Sequence, residues 1–299
     1  MGGYLLIRCR SGLNDCIKIL AYYTPYAKKH DRTILLEFIM YSATDLNDIF
    51  DFSDYPCKII VNPKEILEKL VADNVEIVPA FYKSQILNPK DVKHTDKIGY
   101  CLYNKHVRIN LNYTHSDSVL LVCDCGGYGI DDNYTYINKI KFNKKIIDLF
   151  NIIRKTFPVD YNSIHIRSTD LGRFVNKQDI IKYNNFIISS LKSVFIATDN
   201  NKILLNLKNK YGEKILTSNT KFYNIEKRNN YHLGNLHQFG KKESDVLIEA
   251  LIDLLLLASA NKIMIILNNS GYSRLARFLC NHKGILNKML GNTVNSPQV

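Results

Sequence analysis

The chain has 299 residues and a mass of 34.5 kDa, enough for one large or two modest domains with a core that needs no covalent staples. Hydrophobic residues at 46% and a mean hydropathy of −0.15 exclude a disordered chain. Forty Lys and Arg against 28 Asp and Glu leave a net charge of +12, which first suggests nucleic acid. Residues 1–155 carry 21 basic and 18 acidic side chains, whereas residues 156–299 carry 19 and 10. The excess therefore sits in the second half and points to an anionic ligand there. No nucleic-acid recognition motif or Lys/Arg stripe appears, so no nucleic-acid partner is expected.

In chain order, Tyr4–Ile7 is a short apolar strand, followed by a glycine turn at Ser11-Gly12 and a helical pattern through Ile17, Leu20, Tyr23, Thr24 and Ala27. Arg32–Phe38 is the next strand, which completes a βαβ unit. Ile59–Val61, Val75–Val78 and Val119–Cys123 are further buried strands, with a turn at Gly126–Gly129 and a helix expected over Ile137–Phe157. The second half repeats this grammar. Strands are expected at Tyr161–Ile166, Ser193–Ala197, Lys214–Leu216 and Lys262–Leu267, with helices at Asp179–Leu191, Lys202–Tyr211, Ser244–Ser259 and Tyr272–Cys280. The tail from Gly291 is expected to fray. The pattern predicts two α/β domains with mostly parallel sheets, 1–155 and 156–299. Ligands of such sheets bind beyond the carboxyl ends of the strands.

Seven cysteines without regular spacing indicate a reduced compartment rather than a disulfide framework. Cys123-Asp124-Cys125 has no second Cys or His pair at ligand spacing, so it is expected to be strand rather than zinc site. The apolar stretch Leu247–Leu267 is interrupted by Glu249, Asp253, Asn261 and Lys262, so no integral membrane segment is expected.

Four motifs lie at strand ends. Ser11-Gly12-Leu13-Asn14-Asp15 opens a helix, where free N–H groups favour an anion; Arg8 and Arg10 add charge, but the motif also fits a plain tight turn with Asp15 in the first helical turn. In His165-Ile166-Arg167-Ser168-Thr169-Asp170, alternation puts His165 and Arg167 on one side of the strand end. Arg167 suits a phosphate, or a buried pair with Asp170 beside a satisfied core histidine. Thr198-Asp199-Asn200 fits a polar ligand or an N-cap for the following helix. Asp253 lies in so apolar a helix that it must be paired or sit at a pocket mouth, and Ser270 in Asn268-Asn269-Ser270-Gly271 lies where a phosphate meets a helix N-terminus, or is itself an N-cap.

In this order and spacing the four motifs resemble the GDP-fucose-dependent fucosyltransferase superfamily, nearest to the α1,6-fucosyltransferases and protein O-fucosyltransferases. His165-x-Arg167-x-x-Asp170 resembles its H-x-R-x-x-D motif, the Gly12-Leu13-Asn14 turn its first βαβ unit, and the Asp253 helix with Asn269-Ser270 its last motif. The resemblance implies an α/β GT-B fold: two Rossmann-like domains facing a cleft, acceptor mainly on the first and GDP on the second. It implies a metal-independent, inverting enzyme that needs no cofactor and moves fucose to a glycan or glycoprotein hydroxyl; the same fold with another nucleotide sugar, or a non-catalytic GDP-sugar-binding protein, are the alternatives. The absence of any D-x-D agrees with metal independence. Arg167 would stabilise the leaving GDP, with His165 and Asp170 holding the donor and Arg167. Asp253 would face guanine and Ser270 a phosphate, while Gly12 and Asn14 would admit the diphosphate to the first loop. Asp199 lies on the strand that resembles the second nucleotide-side strand.

The sequence departs from the family in four places. Ser168 stands where the α1,6 group has a second Arg, Leu171 where a Lys is common, Asn14 where a second glycine is frequent, and Val175 near the place of that group's Glu base. Arg173 is close enough in the chain to replace the missing arginine, and Asp15 and Asp170 are the candidate bases. Golgi relatives carry an N-terminal anchor, whereas this chain begins at its first strand, so a cytoplasmic enzyme is expected.

Overall fold

The computed structural model describes residues 3–38, 45–84, 86–87, 112, 114–125, 130–167, 175–218, 243–266 and 270–291. The chain divides into two compact units, Met1–Lys141 and Phe142–Val299. The division falls before the expected one near residue 155, because the helix at Lys144–Arg154 packs on a helix of the second unit.

The first unit is built on β1 (Tyr4–Cys9), α1 (Leu13–Lys29), β2 (Thr33–Phe38), β3 (Phe50–Asp51), β4 (Ile59–Val61), α2 (Lys64–Ala72), β5 (Ile77–Val78) and β6 (Leu120–Cys125). Its main sheet has the order β4-β2-β1-β6-β5, and every pair is parallel. A parallel sheet covered on both faces demands near-continuous apolar strands. β1 meets that demand with Leu5, Leu6 and Ile7 fully buried, as does β2 with Ile34, Leu35 and Leu36. Cys123 is a buried strand residue that forms no disulfide among the described residues. Arg32 is also buried; its guanidinium donates to the carbonyls of Val119 (2.9 Å), Ser116 (2.7 Å) and His115 (3.0 Å), which pins the approach to β6.

A short strand, β7 (Lys141–Phe142), marks the junction. The second unit continues with α3 (Lys144–Arg154), β8 (Asn162–Ile166), α4 (Lys177–Ser189), β9 (Val194–Thr198), α5 (Asn201–Tyr211), β10 (Ile215–Leu216), α6 (Glu243–Ser259), β11 (Ile263–Ile266), α7 (Gly271–Asn281) and α8 (Lys283–Met289). Its sheet is parallel throughout, in the order β10-β9-β8-β11. One face packs Ile164, Ile166, Val194 and Ile196 against Tyr183 and Ile187 of α4 and Leu204 and Leu207 of α5. On the other, the Tyr161 hydroxyl donates to Leu256 O of α6 at 2.6 Å and the Ser163 hydroxyl to Leu257 O at 3.2 Å.

The expected helix over Ile137–Phe157 begins only at Lys144. The Asn143 side chain accepts from the Lys145 N–H at 3.1 Å and caps it there, while Ile137–Lys139 forms a single 3-10 turn. The turn at Gly126–Gly129 and the tail beyond Gly291 lie outside the described residues.

Candidate active site

In the second unit the chain leaves β8 toward β9 on one side and returns through α6 to β11 on the other. The carboxyl ends of β8 and β11 are therefore a topological switch point, where open α/β sheets bind ligands. Ile166 pairs with Ile266 at that edge. Arg167 follows directly, and its Nη1 donates to Ser270 Oγ at 3.0 Å. Ser270 is buried and precedes α7, yet its side chain makes no cap hydrogen bond to that helix. The hydroxyl thus serves the guanidinium rather than the helix, and it stands at the N-terminal end of α7, the end of a helix that favours an anion.

His165 is buried, with Nδ1 2.6 Å from Ser273 Oγ and its ring 5.0 Å from that of Tyr272. Burial, helped by the Arg167 charge, lowers its pKa to about 3, so the imidazole is neutral. The Tyr272 hydroxyl in turn donates to Ala250 O at 2.8 Å, which ties α7 to the turn of α6 that leads to Asp253. Asp253 Oδ1 is shut off from solvent and has no hydrogen-bond partner. Burial raises the Asp253 pKa to about 7; a hydrogen bond from Ser218 lowers it and the Glu249 charge raises it further. An apolar helix has thus placed an acceptor where its only gain is from an incoming donor.

Asp199 follows β9 and is half-buried. The cap of α5 is Asn200, whose Oδ1 accepts from the Ile203 N–H at 3.2 Å, so Asp199 does not serve as the cap. Asp170, Arg173 and Asn269 lie outside the described residues.

In the first unit, Gly12 opens α1 at the end of the central strand, and a Cβ there would meet nothing within 4 Å. Gly12 is the N-cap of α1, and neither backbone strain nor a neighbour among the described residues demands glycine there. Asn14 is buried; its Oδ1 accepts from Tyr134 OH at 2.7 Å while its Nδ2 has no partner. Asp15 pairs with Lys18 at 3.5 Å, and Lys18 also reaches Asp132 at 3.3 Å. Arg8 and Arg10, read from the sequence as added charge, are neutralised by Glu37 and Asp124 respectively. Arg10 holds Asp124 through two nitrogens, Nη2 at 2.7 Å from Oδ2, and these interactions outweigh burial to raise the Arg10 pKa.

The residues singled out in the sequence meet partners it did not single out: Ser273 and Tyr272 at His165, Ser218 at Asp253 and Tyr134 at Asn14. Hydroxyl residues in loops and first helical turns carry no spacing signal.

No protein-family model matches the chain, and no curated protein matches it. Solved structures do. The fucosyltransferase NodZ from Bradyrhizobium superposes with a TM-score of 0.60 at 14% identity, covering 93% of this chain and 94% of the other. NodZ alpha-1,6-fucosyltransferase co-crystallized with GDP gives 0.57 at 16%, covering 93% of each chain. POFUT1 in complex with GDP gives 0.53 at 12%, covering 99% of this chain and 96% of the other. The fold is that of the GT-B fucosyltransferases. The chain shares that architecture across nearly its whole length with little shared sequence. Among its described residues no group of three or more His, Cys, Asp or Glu could hold a metal, and no helix is long and apolar enough to cross a membrane.

Proposed function

We propose that the chain is a glycosyltransferase that moves fucose from GDP-fucose to a hydroxyl of a glycan or glycoprotein, with inversion and without a metal. The observation that carries this reading is the Arg167–Ser270 contact at the switch point of the second unit. As the bond from C1 of the sugar to the β-phosphate oxygen breaks, its electron pair and a growing negative charge pass to GDP. Arg167, held in place by Ser270, and the N-terminus of α7 are fixed donors for that charge and need no reorganisation during the reaction. Asp253 supplies the acceptor that suits guanine, whose adjacent N1–H and N2–H groups match a carboxylate. His165, neutral and held by Ser273, buttresses the same edge without adding charge.

The acceptor hydroxyl attacks C1 from the opposite side and gives its proton to a carboxylate, a step worth about 10²–10⁴ in rate. Asp15 and Asp170 are the proposed bases. In the first unit, Gly12 and Asn14 are further proposed substrate-binding residues, with Asn14 Nδ2 a buried donor without a partner. Arg173, Asp199 and Asn269 complete the proposed donor contacts.

Thermal melting with GDP and UDP in EDTA tests the reading. At one hundred times Kd, GDP stabilises by about 2.7 kcal/mol, a rise of several degrees, and UDP does much less. A shift that appears only with added Mn²⁺, or is equal for UDP, overturns it.

A further inference from the structure

The end of the second unit opposite the candidate site carries an unusual surface. Two adjacent turns lead into the paired strands β8 and β9, and each presents a bare apolar side chain: Val159 is 87% exposed and Leu191 102%. Neither turn is loose. Arg154 donates to Pro158 O at 3.0 Å and Val159 O at 2.7 Å, which fixes the first. Ser190 Oγ donates to Lys192 O at 2.8 Å and accepts from Asn162 Nδ2 at 2.8 Å, which fixes the second. The 3.3 Å bridge between Lys192 and Asp160 joins the two turns. The apolar surface continues up the outer face of α4 through Ile188 (63% exposed) and Ile181 (57%), two helical turns apart.

Single exposed apolar residues are ordinary. Four on one strip, two of them held out by pinned turns, are not, because a chain that only had to fold would leave such tips free to collapse or make them polar. Lysines flank the strip. Lys182, which pairs with Asp179 at 3.7 Å, and the half-buried Lys192 lie along it, Lys155 follows α3, and Lys214 Nζ lies 3.5 Å from Ile188 O. Asp160, on the first of these turns, is bridged to Lys192, and Glu213 stands on the turn before β10.

We propose that this end of the second unit docks on an anionic lipid surface, with Leu191, Val159 and Ile188 entering the acyl boundary and the lysines meeting headgroup phosphates. Lysine is depleted from the centres of protein interfaces. Long aliphatic stems that carry a cation past apolar neighbours are instead suited to a bilayer surface, where stem and charge are both satisfied. Docking there leaves the carboxyl ends of β8 and β11 facing away from the bilayer. The proposal does not depend on the identity of the donor.

Co-sedimentation of the full chain with vesicles tests it, one set of pure phosphatidylcholine and one of phosphatidylcholine and phosphatidylserine in equal parts. The anionic vesicles are expected to bind at least tenfold more protein, less as salt is raised, because each lysine near the surface acts electrostatically. Val159→Glu with Leu191→Glu is expected to abolish that binding while the GDP-induced rise in melting temperature persists, since both side chains are solvent-facing. Equal binding to both vesicle sets overturns the proposal, as does a double variant that still sediments. So does a concentration-dependent dimer in light scattering that the double variant loses, which would make the strip an interface between two copies of the chain.

Discussion

In the proposed reaction, Arg167 is the residue on which most of the chemistry rests. Its guanidinium is held by Ser270, and its charge adds to the burial that keeps His165 neutral. Arg167→Ala should lower kcat/KM by about 10²–10³ while the far-ultraviolet circular dichroism is unchanged. Ser270→Ala should cost less, about tenfold in kcat with KM little altered, because it loosens the guanidinium without removing it. Asp253 sets a pH signature. Its carboxyl ionises at 3.8 when free and near 7 in the folded chain, so between those values the folded state binds more protons than the unfolded state. Stability from this group therefore falls as pH rises from about 4 to about 7, and then levels off. Asp253→Asn should flatten that fall in denaturant titrations across the window. It should also weaken GDP binding, whose affinity in the parent chain declines as pH drops below 7 and the carboxylate is lost. A parent profile that rises with pH across this window would contradict the assignment.

At the level of elements, caps decided what periodicity could not. The apolar residues from Ile137 to Ile153 read as one helical run, but Asn143 accepting from Lys145 sets the start of α3 well inside it. α4 begins with a reciprocal capping box, Asn176 Oδ1 accepting from the Asp179 N–H at 2.9 Å and Asp179 Oδ2 accepting from the Asn176 N–H at 3.3 Å. Asn176→Ala should destabilise the second unit by about 1 kcal/mol, measured by urea denaturation, and a change below a few tenths would show the box to be dispensable. The βαβ units were legible because buried parallel strands such as Leu5–Ile7 and Phe195–Ala197 must be apolar throughout. The partners of the site residues were not. Ser273 meets His165 across 108 positions, and such a pairing exists only once β8 and α7 are folded against each other.

Across the whole molecule, the positive charge that began as a nucleic-acid signal separates into distinct uses. Arg8 and Arg10 are neutralised within the first unit, Arg32 binds carbonyls, and Arg167 stands at the switch point of the second. Several surface lysines border the apolar strip at the far end. At 12–16% identity, the likeness to solved fucosyltransferases lies in backbone topology, while the H-x-R-x-x-D pattern at His165, Arg167 and Asp170 carries the chemical resemblance. The proposed activity is cleavage of a GDP-sugar by this fold, with Arg167 at its switch point. The direct measurement is release of GDP from GDP-fucose in EDTA, with and without a glycan acceptor, for the parent chain and Arg167→Ala. GDP release by the parent, stimulated by acceptor, and its loss in the variant are the expected results. Equal release by both proteins, or release only from UDP-sugars, would contradict it.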